Sequence, residues 1–192
     1  MMTMLKKNII TIAGKPGSGK STTSKKVASE LNYKHFSSGD LFRAIGKEMG
    51  IDLLKANKTA ENENTIDHRV DSKLEELGEN ENEIVIDSRT AWHWIPQSFK
   101  VYLDLDLETA AERIISNIDK SRMEAEHIPE TVSEYVKELE KRLASETKRY
   151  SCLYNIDPYN KENYDLVINT SENDIPSVVE KIITGYHNWL KS

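Results

Sequence analysis

Five short stretches of the chain are rich in β-branched or aromatic residues, and longer polar stretches separate them. They span residues 8–13, 33–36, 83–87, 99–103 and 164–168. Four of them are near-continuous apolar runs without strict alternation of apolar and polar side chains, a pattern typical of strands buried on both faces. We therefore predict five buried strands.

Apolar residues at helical spacing occupy the segments between these strands. The first such stripe consists of Ile66, Val70, Leu74 and Leu77. Its members lie at positions i, i+4, i+8 and i+11, so they share one face of a helix. Gly78 follows directly, and glycine commonly stands at the C-terminal end of a helix. We predict a helix that buries this face and ends at about Gly78.

Two further apolar stripes predict helices in the second half of the chain. One consists of Val132, Val136, Leu139 and Leu143, and the other of Ile175, Val178, Val179, Ile182 and Ile183. Thr131 and Glu134 form a capping-box pattern at the start of the first stripe. Strands that alternate with helices favour right-handed βαβ units, in which helices cover both faces of a parallel sheet. The predicted class is three-layer α/β with a five-stranded parallel sheet.

We predict a single domain over residues 1–192. At 192 residues the chain lies near the upper end of the usual size of one compact domain, and it contains no repeat or proline-rich linker. Residues 116–130 are polar and poor in apolar side chains, so we interpret them as a small insertion into a core of residues 1–115 and 131–192. This insertion and the polar segment 57–64 are each either a lid or a plain solvated loop.

The charge balance argues against a nucleic-acid partner. The chain has 26 Lys and Arg against 32 Asp and Glu, a formal net charge of −6, so the field of the whole molecule repels a polyanion. Hydrophobic residues make up 38% and charged residues 30%, values typical of an ordinary globular protein. A small phosphate compound can still bind where cations gather in a cleft.

Cysteine content and hydropathy indicate the compartment. Cys152 is the one cysteine, so no intrachain disulfide can form, and we expect it to be a small buried apolar side chain in a reducing compartment. Lys6 and Lys7 precede an apolar run at 9–13 that is too short for a signal-peptide core. No stretch approaches the about 20 apolar residues of a membrane span. We expect a cytoplasmic protein without membrane contact.

Residues 14–21, Gly-Lys-Pro-Gly-Ser-Gly-Lys-Ser, match the full pattern of a phosphate-binding loop between a strand and a helix. Glycines let successive backbone N–H groups point at phosphate oxygens, and the N-terminal end of the next helix adds positive potential. Lys20 can then reach the β- and γ-phosphates of ATP, while the Ser21 hydroxyl can bind Mg²⁺. The predicted nucleotide-binding residues are Gly14, Lys15, Pro16, Gly17, Ser18, Gly19, Lys20, Ser21 and Thr22.

The loop predicts a P-loop NTPase fold and leaves the reaction open, because GTPases, motor ATPases and small-molecule kinases share it. The Asp-x-x-Gly and Asn-Lys-x-Asp motifs typical of GTPases do not occur in the sequence, and motor cores normally need a longer chain. These two observations favour a small-molecule kinase.

A carboxylate ends the third predicted strand. Asp87 follows the apolar residues 84–86, and Arg89 comes two residues later. This is the form of a Walker B acid, which orients Mg²⁺ or a water bound to it. A plain turn residue is the alternative, but its place in the third strand after the loop favours the metal role. Ser21 and Asp87 are thus the predicted metal residues.

The segment 37–43, Ser-Ser-Gly-Asp-Leu-Phe-Arg, opens a helix after the second strand. Asp40 suits the first turn of that helix, and Arg43 projects from nearly the same face. An arginine there can grip a second phosphate by paired hydrogen bonds, although a capped helix with a surface arginine explains the segment equally well. The predicted substrate-binding residues, mostly in an acceptor segment at 37–78, are Ser38, Gly39, Asp40, Arg43, Asp87 and Arg89.

Further arginines are candidates for neutralising charge during phosphoryl transfer. Arg142 and Arg149 lie seven residues apart on one predicted helix, so they share a face and can aim two cations at one cleft. Arg113 precedes the polar insertion and Arg122 lies within it. Each of these arginines can instead form a surface salt bridge. The predicted catalytic set is Lys20, Arg113, Arg122, Arg142 and Arg149.

Seven segments, in this order along the chain, resemble the cytidylate kinases, most closely the short archaeal-type branch of the nucleoside monophosphate kinases. They are Ile-Ala-Gly-Lys-Pro-Gly-Ser-Gly-Lys-Ser (12–21), Ser-Ser-Gly-Asp-Leu-Phe-Arg (37–43), Ile-Asp-Ser-Arg-Thr-Ala (86–91), Ala-Glu-Arg-Ile (111–114), Lys-Arg-Tyr (148–150), Tyr-Asn-Ile-Asp (154–157) and Tyr-Asp-Leu-Val-Ile-Asn-Thr (164–170). The resemblance implies that ATP and CMP or dCMP, with Mg²⁺, give ADP and the nucleoside diphosphate.

The resemblance also implies roles for the arginines. The segment 37–43 and Arg89 would hold the monophosphate. Arg113 and Arg122 would belong to the lid or its base. Arg142 and Arg149 would lie near the transferring phosphoryl group, and lid closure would exclude water.

The chain departs from the family pattern at two positions. Lys15 replaces the small residue or proline that is usual there, and Ser88 stands where glycine is common. Ser88 lies beside the expected acceptor phosphate, so it can alter selectivity. Trp92 and Trp94 are interpreted as packing residues, with the lining of a base pocket as the alternative.

Two other functions stay open at this point. One is a P-loop kinase for another small acceptor, such as UMP, AMP or a non-nucleotide metabolite, and the other is a regulatory protein that binds a nucleotide without catalysis. The expected partners are small nucleotides, with no nucleic acid and no membrane, and a monomer is favoured. The five histidines are scattered without the spacing of metal ligands.

Overall fold

A five-stranded parallel sheet forms the centre of the computed structural model, which describes residues 5–50, 65–118 and 128–192. The strands are β1 (Ile9–Gly14), β2 (Lys34–Ser37), β3 (Ile84–Asp87), β4 (Phe99–Asp104) and β5 (Leu166–Asn169). Their order across the sheet is β2-β3-β1-β4-β5, and every pairing is parallel. All five predicted strands are confirmed, each displaced by no more than about two residues.

Helices connect the strands. They are α1 (Lys20–Leu31), α2 (Ser38–Glu48), α3 (Thr65–Asn80), α4 (Ala91–Trp94), α5 (Leu107–Asn117), α6 (Val132–Tyr154) and α7 (Ile175–Lys191), with a 3₁₀ turn at Lys161–Asn163. The N-cap half of the predicted capping box is confirmed, because the Thr131 side chain accepts a hydrogen bond from the Glu134 backbone N–H at the start of α6. The Glu134 carboxylate accepts a hydrogen bond from the Thr131 hydroxyl.

Helices cover both faces of the sheet, as predicted. On one face Ile10 and Ile12 pack with side chains of α1 and α7 such as Val27 and Val179. On the other face Ile9 packs with residues of α2, α3 and α4, among them the whole predicted stripe from Ile66 to Leu77. A third cluster joins α5 to α6. The architecture is therefore the expected three-layer α/β fold.

The carboxyl end of β1 is the place where a ligand crevice is expected. β1 lies between β3 and β4, so the chain crosses over to opposite sides of it, and open parallel sheets bind ligands at such a point. Gly14 ends β1 opposite Leu103, with φ at 150°. A Cβ at Gly14 would lie 2.2 Å from the Leu103 carbonyl oxygen, so only glycine allows this close approach of β1 to β4.

Two expectations about single residues are wrong. Gly78 does not end its helix, because α3 continues to Asn80. A Cβ at Gly78 would lie 2.9 Å from Ile95 Cγ1, so the glycine serves close packing of α3 against α4. Cys152 is exposed, because the buried face near the end of α6 runs through Tyr150 and turns Cys152 toward solvent.

The stripe on α6 is rotated relative to the prediction. Leu139 is buried as expected, but Val132, Val136 and Leu143 are half-buried. The buried positions of α6 are Tyr135, Leu139, Glu146 and Tyr150. The inner face of this helix is therefore partly polar, which an apolar stripe does not reveal.

The edges of the predicted insertion are part of the core. α5 continues to Asn117, and Ile118 and Ile128 pack into the cluster between α5 and α6. Both ends of the predicted insertion thus pack between α5 and α6. Residues 119–127, which include Arg122, and the polar segment 57–64 lie outside the described residues.

None of the helices in the described ranges is both long and apolar enough to span a bilayer.

Candidate active site

The phosphate-binding loop follows β1 directly. Gly17 and Gly19 have φ angles of 77° and 80°, a left-handed conformation that glycine adopts without a steric cost. α1 begins at Lys20, and the Gly19 carbonyl accepts a hydrogen bond from the Thr23 N–H at 2.9 Å. The first turn of α1 therefore presents its free N–H groups at the loop, the arrangement that binds phosphate oxygens.

Lys20 lies half-buried at the end of the loop, where its ammonium donates a hydrogen bond to the Lys15 carbonyl oxygen at 3.0 Å. Burial, together with the positive charge of Arg89, lowers the pKa of Lys20 to about 8, against an opposing effect of Asp87. The influence of Arg89 shows that a second cation lies close to the loop.

Ser21 and Asp87 meet between α1 and β3. The Ser21 hydroxyl donates a hydrogen bond to Asp87 Oδ2 at 2.5 Å, and Asp87 is buried. The structure thus brings together the two residues predicted to hold a metal ion.

Lys15 points away from the loop. Its ammonium forms an ion pair of 2.8 Å with Asp104 Oδ1 and donates to the Leu105 carbonyl oxygen at 2.9 Å. Asp104 also pairs with Lys161 at 2.6 Å. The departure from the family pattern at Lys15 therefore supplies a contact to the end of β4.

A large cleft of about 920 Å³ opens beside the loop, and we call it the loop cleft. Residues of the loop and of α1 line one side, and Arg113 and Arg142 line the other. Arg113 donates a hydrogen bond to the Thr170 carbonyl oxygen at 2.7 Å, which fixes its guanidinium beside β5. The predicted loop residues Gly17, Ser18, Gly19 and Thr22 all line this cleft.

A smaller cavity of about 110 Å³ lies between α2, α3, α6 and the end of β3, and we call it the arginine cavity. Its lining includes Ser38, Gly39, Arg43, Asp67, Asp71, Ser88, Arg89, Arg142, Glu146 and Arg149. Arg142 lines both this cavity and the loop cleft. The two spaces are therefore neighbours with a cation between them.

Glu146 is the buried centre of the arginine cavity. Its two carboxylate oxygens lie 2.9 Å from Arg89 Nε and 3.0 Å from Arg142 Nε, and the Tyr159 hydroxyl donates a further hydrogen bond. Burial alone would raise the pKa of Glu146, but the charges of Arg89 and Arg142 outweigh it and lower the pKa to about 2. One ionised carboxylate therefore holds two of the predicted arginines.

Two buried carboxylates of α3 face the same cavity. Asp67 Oδ2 lies 3.4 Å from Arg149 Nε, and Asp71 accepts a hydrogen bond from the Tyr154 hydroxyl. Burial raises the pKa of Asp67, opposed by the charge of Arg149. Burial also raises the pKa of Asp71 to about 6, against the hydrogen bond from Tyr154. The end of the cavity at α3 thus offers hydrogen-bond acceptors.

The predicted segment at the start of α2 lies at the mouth of the cavity. Ser38, Gly39 and Arg43 line it, and the Arg43 guanidinium forms an ion pair of 2.5 Å with Asp40. Asp40 is exposed and is not part of the described lining of the cavity. Its ion pair with Arg43 orients the Arg43 guanidinium. Arg43 and Arg89 thus face one concavity, as the sequence predicts.

The tryptophans after β3 are packing residues. The Trp92 indole N–H donates to the Arg89 carbonyl oxygen at 2.9 Å, and Trp94 packs against Tyr154 and the core under α3. Neither belongs to the described lining of the arginine cavity. Ser88 does line it, and its hydroxyl accepts a hydrogen bond from the Thr90 N–H at 3.3 Å.

Sequence reasoning missed four polar residues of the cavity region, namely Asp67, Asp71, Glu146 and Tyr159. A signal existed for three of them. Asp67 and Asp71 follow buried residues of the first apolar stripe directly, and Glu146 lies midway between Arg142 and Arg149 on one helix face. Acidic residues at the inner face of an amphipathic helix indicate buried partners. No comparable pattern marks Tyr159.

A model of the cytidylate kinase-like family matches residues 9–172. The chain belongs to this family. A cytidylate kinase from Natronomonas pharaonis is 38% identical over 184 residues, which are 93% of this chain and 90% of that protein. A cytidylate kinase from Methanocaldococcus jannaschii is 35% identical over 189 residues, 95% of this chain and 99% of that protein. The resemblance to the cytidylate kinases that the seven sequence segments indicate is confirmed.

Solved structures confirm the fold class of this family member. A shikimate kinase from Bacteroides thetaiotaomicron has a TM-score of 0.61 at 15% identity and covers 96% of this chain and 98% of its own. A gluconokinase from Sinorhizobium meliloti has a TM-score of 0.58 at 15% identity and covers 98% of this chain and 96% of its own. At such low identity the likeness concerns the fold alone.

Proposed function

We propose that the chain is a cytidylate kinase, which transfers the γ-phosphoryl group of ATP to CMP or dCMP and gives ADP and CDP or dCDP. The main support for the proposal is the position of Arg142, which lines both the loop cleft and the arginine cavity. Two phosphate groups that repel each other can meet where a cation faces both.

The loop cleft is proposed to hold ATP. Its glycines and the start of α1 suit the phosphates, and Arg113 faces the same space. Ser21 and Asp87 supply a hydroxyl and a carboxylate oxygen within 2.5 Å of each other, and hard oxygen ligands of this kind suit Mg²⁺. Bound there, Mg²⁺ would neutralise charge on the transferring group.

The arginine cavity is proposed to hold the acceptor. Arg43, Arg89 and Arg142 would bind the phosphate of CMP, which is already anionic at neutral pH and needs no general base. One of its oxygens would form a bond to the γ-phosphorus while the bond from that phosphorus to the bridging oxygen breaks and ADP leaves. Lys20 and the arginines would stabilise the charge that spreads during this exchange.

The α3 end of the cavity supports cytosine as the base. Asp67 and Asp71 offer carboxylate oxygens, which accept hydrogen bonds from the exocyclic amino group of cytosine. Uracil has a carbonyl oxygen at that position, and an oxygen facing a carboxylate is repelled.

We further propose that the enzyme works on small nucleotides in the cytoplasm as a monomer, without nucleic acid. The net charge of −6 supports the last point, because it repels a polyanion. Sedimentation of the purified protein measures its oligomeric state.

A panel of acceptors tests the proposal directly. Purified protein with Mg-ATP is offered CMP, dCMP, UMP and AMP, and kcat/KM is measured for each. We expect a preference for CMP or dCMP of about tenfold or more, because a site that hydrogen-bonds one base leaves groups unpaired with another. Absence of turnover with every monophosphate would refute the proposal.

A further inference from the structure

The segment that joins α6 to β5, residues 155–165, has no role in the function proposed above, and we call it the connector. It folds tightly on itself, since the Tyr164 hydroxyl donates to the Pro158 carbonyl oxygen at 2.6 Å and the Asn163 amide donates to the Asp157 carbonyl oxygen at 3.0 Å. The Tyr164 ring also packs on Tyr102 of β4, with 4.9 Å between ring centres. The connector is therefore a well-packed element.

A side chain of the connector contacts Glu146, which lines the arginine cavity. The Tyr159 hydroxyl donates a hydrogen bond to Glu146 Oε2, the same oxygen that lies 2.9 Å from Arg89 Nε. The other oxygen of Glu146 pairs with Arg142. The orientation of this carboxylate thus sets the positions of two guanidinium groups, and Tyr159 restrains the orientation.

A pair of ion pairs links the connector to the phosphate-binding loop. Asp104 at the end of β4 forms ion pairs with Lys161 of the connector and with Lys15 of the loop, at 2.6 and 2.8 Å. Lys15 and Lys161 both hold the pKa of Asp104 below its usual value although burial opposes this. The same short segment is therefore linked to both sides of the site, to the arginine cavity through Glu146 and to the loop through Asp104.

We propose that the connector is a positioning element for phosphoryl transfer, in which Tyr159 acts through Glu146 to hold Arg89 and Arg142 in the geometry of the transition state. This inference rests on the proposed function, because its test measures the turnover of CMP with ATP. Phosphoryl transfer depends on the placement of cations around the moving group, so a small misplacement weakens the transition state more than substrate binding.

The test compares Tyr159→Phe, Glu146→Gln and the double variant. For Tyr159→Phe we expect kcat to fall about tenfold while KM for CMP and for ATP changes by less than about threefold, as for an interaction made in the transition state. For Glu146→Gln we expect a loss in kcat of about a hundredfold. Because Tyr159 acts through Glu146, we expect the double variant to equal Glu146→Gln within about twofold.

Tyr33→Phe is the matched control. Its hydroxyl lies 3.1 Å from the Tyr186 hydroxyl, away from the site, so the same substitution there is expected to leave kcat unchanged. Lys161→Ala removes the ion pair between the connector and Asp104 without changing Tyr159. We expect kcat to fall about threefold, because a loosened connector would misplace the cations only in part. This second variant decides the question if Tyr159→Phe does not fold.

Several outcomes would overturn the inference. One is an unchanged kcat in Tyr159→Phe, and another is a double variant whose loss in kcat is the sum of the two single losses in free energy. If Tyr159→Phe does not fold, the outcome that overturns the inference is an unchanged kcat in Lys161→Ala. A wild-type protein without turnover of any monophosphate would instead refute the proposed function. The two failures are therefore told apart by the wild-type measurement alone.

Discussion

The loop cleft and the arginine cavity are neighbours that differ in how the chain builds them. The loop side of the loop cleft comes from one short segment, of which Gly17, Ser18, Gly19 and Thr22 line the cleft, and the backbone of its glycines shapes it. The arginine cavity takes side chains from α2, α3, α6 and the end of β3, which are far apart in sequence. The loop side of the site therefore depends on local conformation, and the arginine cavity depends on tertiary packing.

The two regions also balance their charges differently. In the loop, main-chain dipoles and Lys20 would face the phosphates. In the arginine cavity the guanidinium groups are paired with carboxylates, Arg89 and Arg142 with Glu146, and Arg149 with Asp67. Removing one member of such a pair leaves a buried charge, so substitutions there affect geometry as well as charge.

Lys20→Ala is expected to have the largest effect, because Lys20 is the loop cation proposed to face the phosphates, whereas the other loop lysine, Lys15, is paired with Asp104. We expect kcat to fall by about a hundredfold to a thousandfold, the usual cost of a lost transition-state donor. Steady-state turnover of CMP measures this. Lys25→Ala, an exposed lysine on α1, is the control and should leave turnover unchanged. A protein that merely binds nucleotide would have no turnover to lose and would lose only affinity.

Arg89→Ala tests whether the two regions serve different substrates. We expect KM for CMP to rise about tenfold to a hundredfold, since hydrogen bonds to charged groups contribute about 1.5–3 kcal/mol. KM for ATP should change far less, because Arg89 lines the arginine cavity and not the described part of the loop cleft. Initial rates with each substrate varied in turn measure the split.

The control for Arg89 is Arg69→Ala, whose exposed side chain pairs with Glu48 at 3.0 Å on the surface. Neither KM should change in that variant. If Arg89→Ala raises both KM values equally, the separation of the two regions is wrong.

Asp71→Asn tests base selection in the arginine cavity. Asparagine keeps the size and an oxygen for the Tyr154 hydroxyl but removes the negative charge that disfavours uracil. We expect the ratio of kcat/KM for CMP to that for UMP to fall about tenfold, within the about 1–3 kcal/mol of one good base contact. Glu75→Gln, an exposed position on the same helix, is the control. An unchanged ratio would show that the base is read elsewhere.

The same variant has an expected effect on stability. The pKa of Asp71 is raised to about 6 in the fold, so ionising it costs stability as the pH rises from about 4 through about 6. Asp71→Asn removes that cost, so we expect it to be more stable than the wild type by about 1–3 kcal/mol at neutral pH and to gain nothing at about pH 4. Urea unfolding at both pH values measures the difference.

The smallest expected effect is a pH dependence confined to the loop. Lys20 has a pKa of about 8 and is proposed to bind phosphate as the cation, so its charge is lost as the pH rises through that value. We expect KM for ATP to rise about fourfold between about pH 7 and about pH 8.5, as the protonated fraction falls. KM for CMP should stay nearly level, because the arginines keep their charge. A parallel rise in both constants would contradict this.

The fold was largely predictable because its signals are local. A continuous apolar run indicates a buried strand whatever its neighbours are, and all five runs became strands of the sheet. Gly78 and Cys152 were misjudged because their surroundings are set by other elements. The space beside Gly78 depends on Ile95, and the face of α6 that carries Cys152 depends on what covers Tyr150.

The candidate site was predictable in part. The spacing of Arg142 and Arg149 places both on one helix face, and both line the arginine cavity. The sequence marks Asp67 and Glu146 as buried acidic residues, but it does not show which arginine each one pairs with, because an arginine pairs with whichever carboxylate the fold brings near. Glu146 is a neighbour on the same helix, but Asp67 lies on α3 and Tyr159 on the connector.

The sequence by itself determined the phosphate-binding loop, with its glycines, Lys20 and Ser21, because the backbone of a few consecutive residues makes that site. Only the tertiary structure decided which cations face the loop and which carboxylates hold them. Those contacts join residues that meet through the order of strands in the sheet and the packing of helices against it. Burial and neighbouring charges then set the pKa values of these groups, and both are properties of the folded chain.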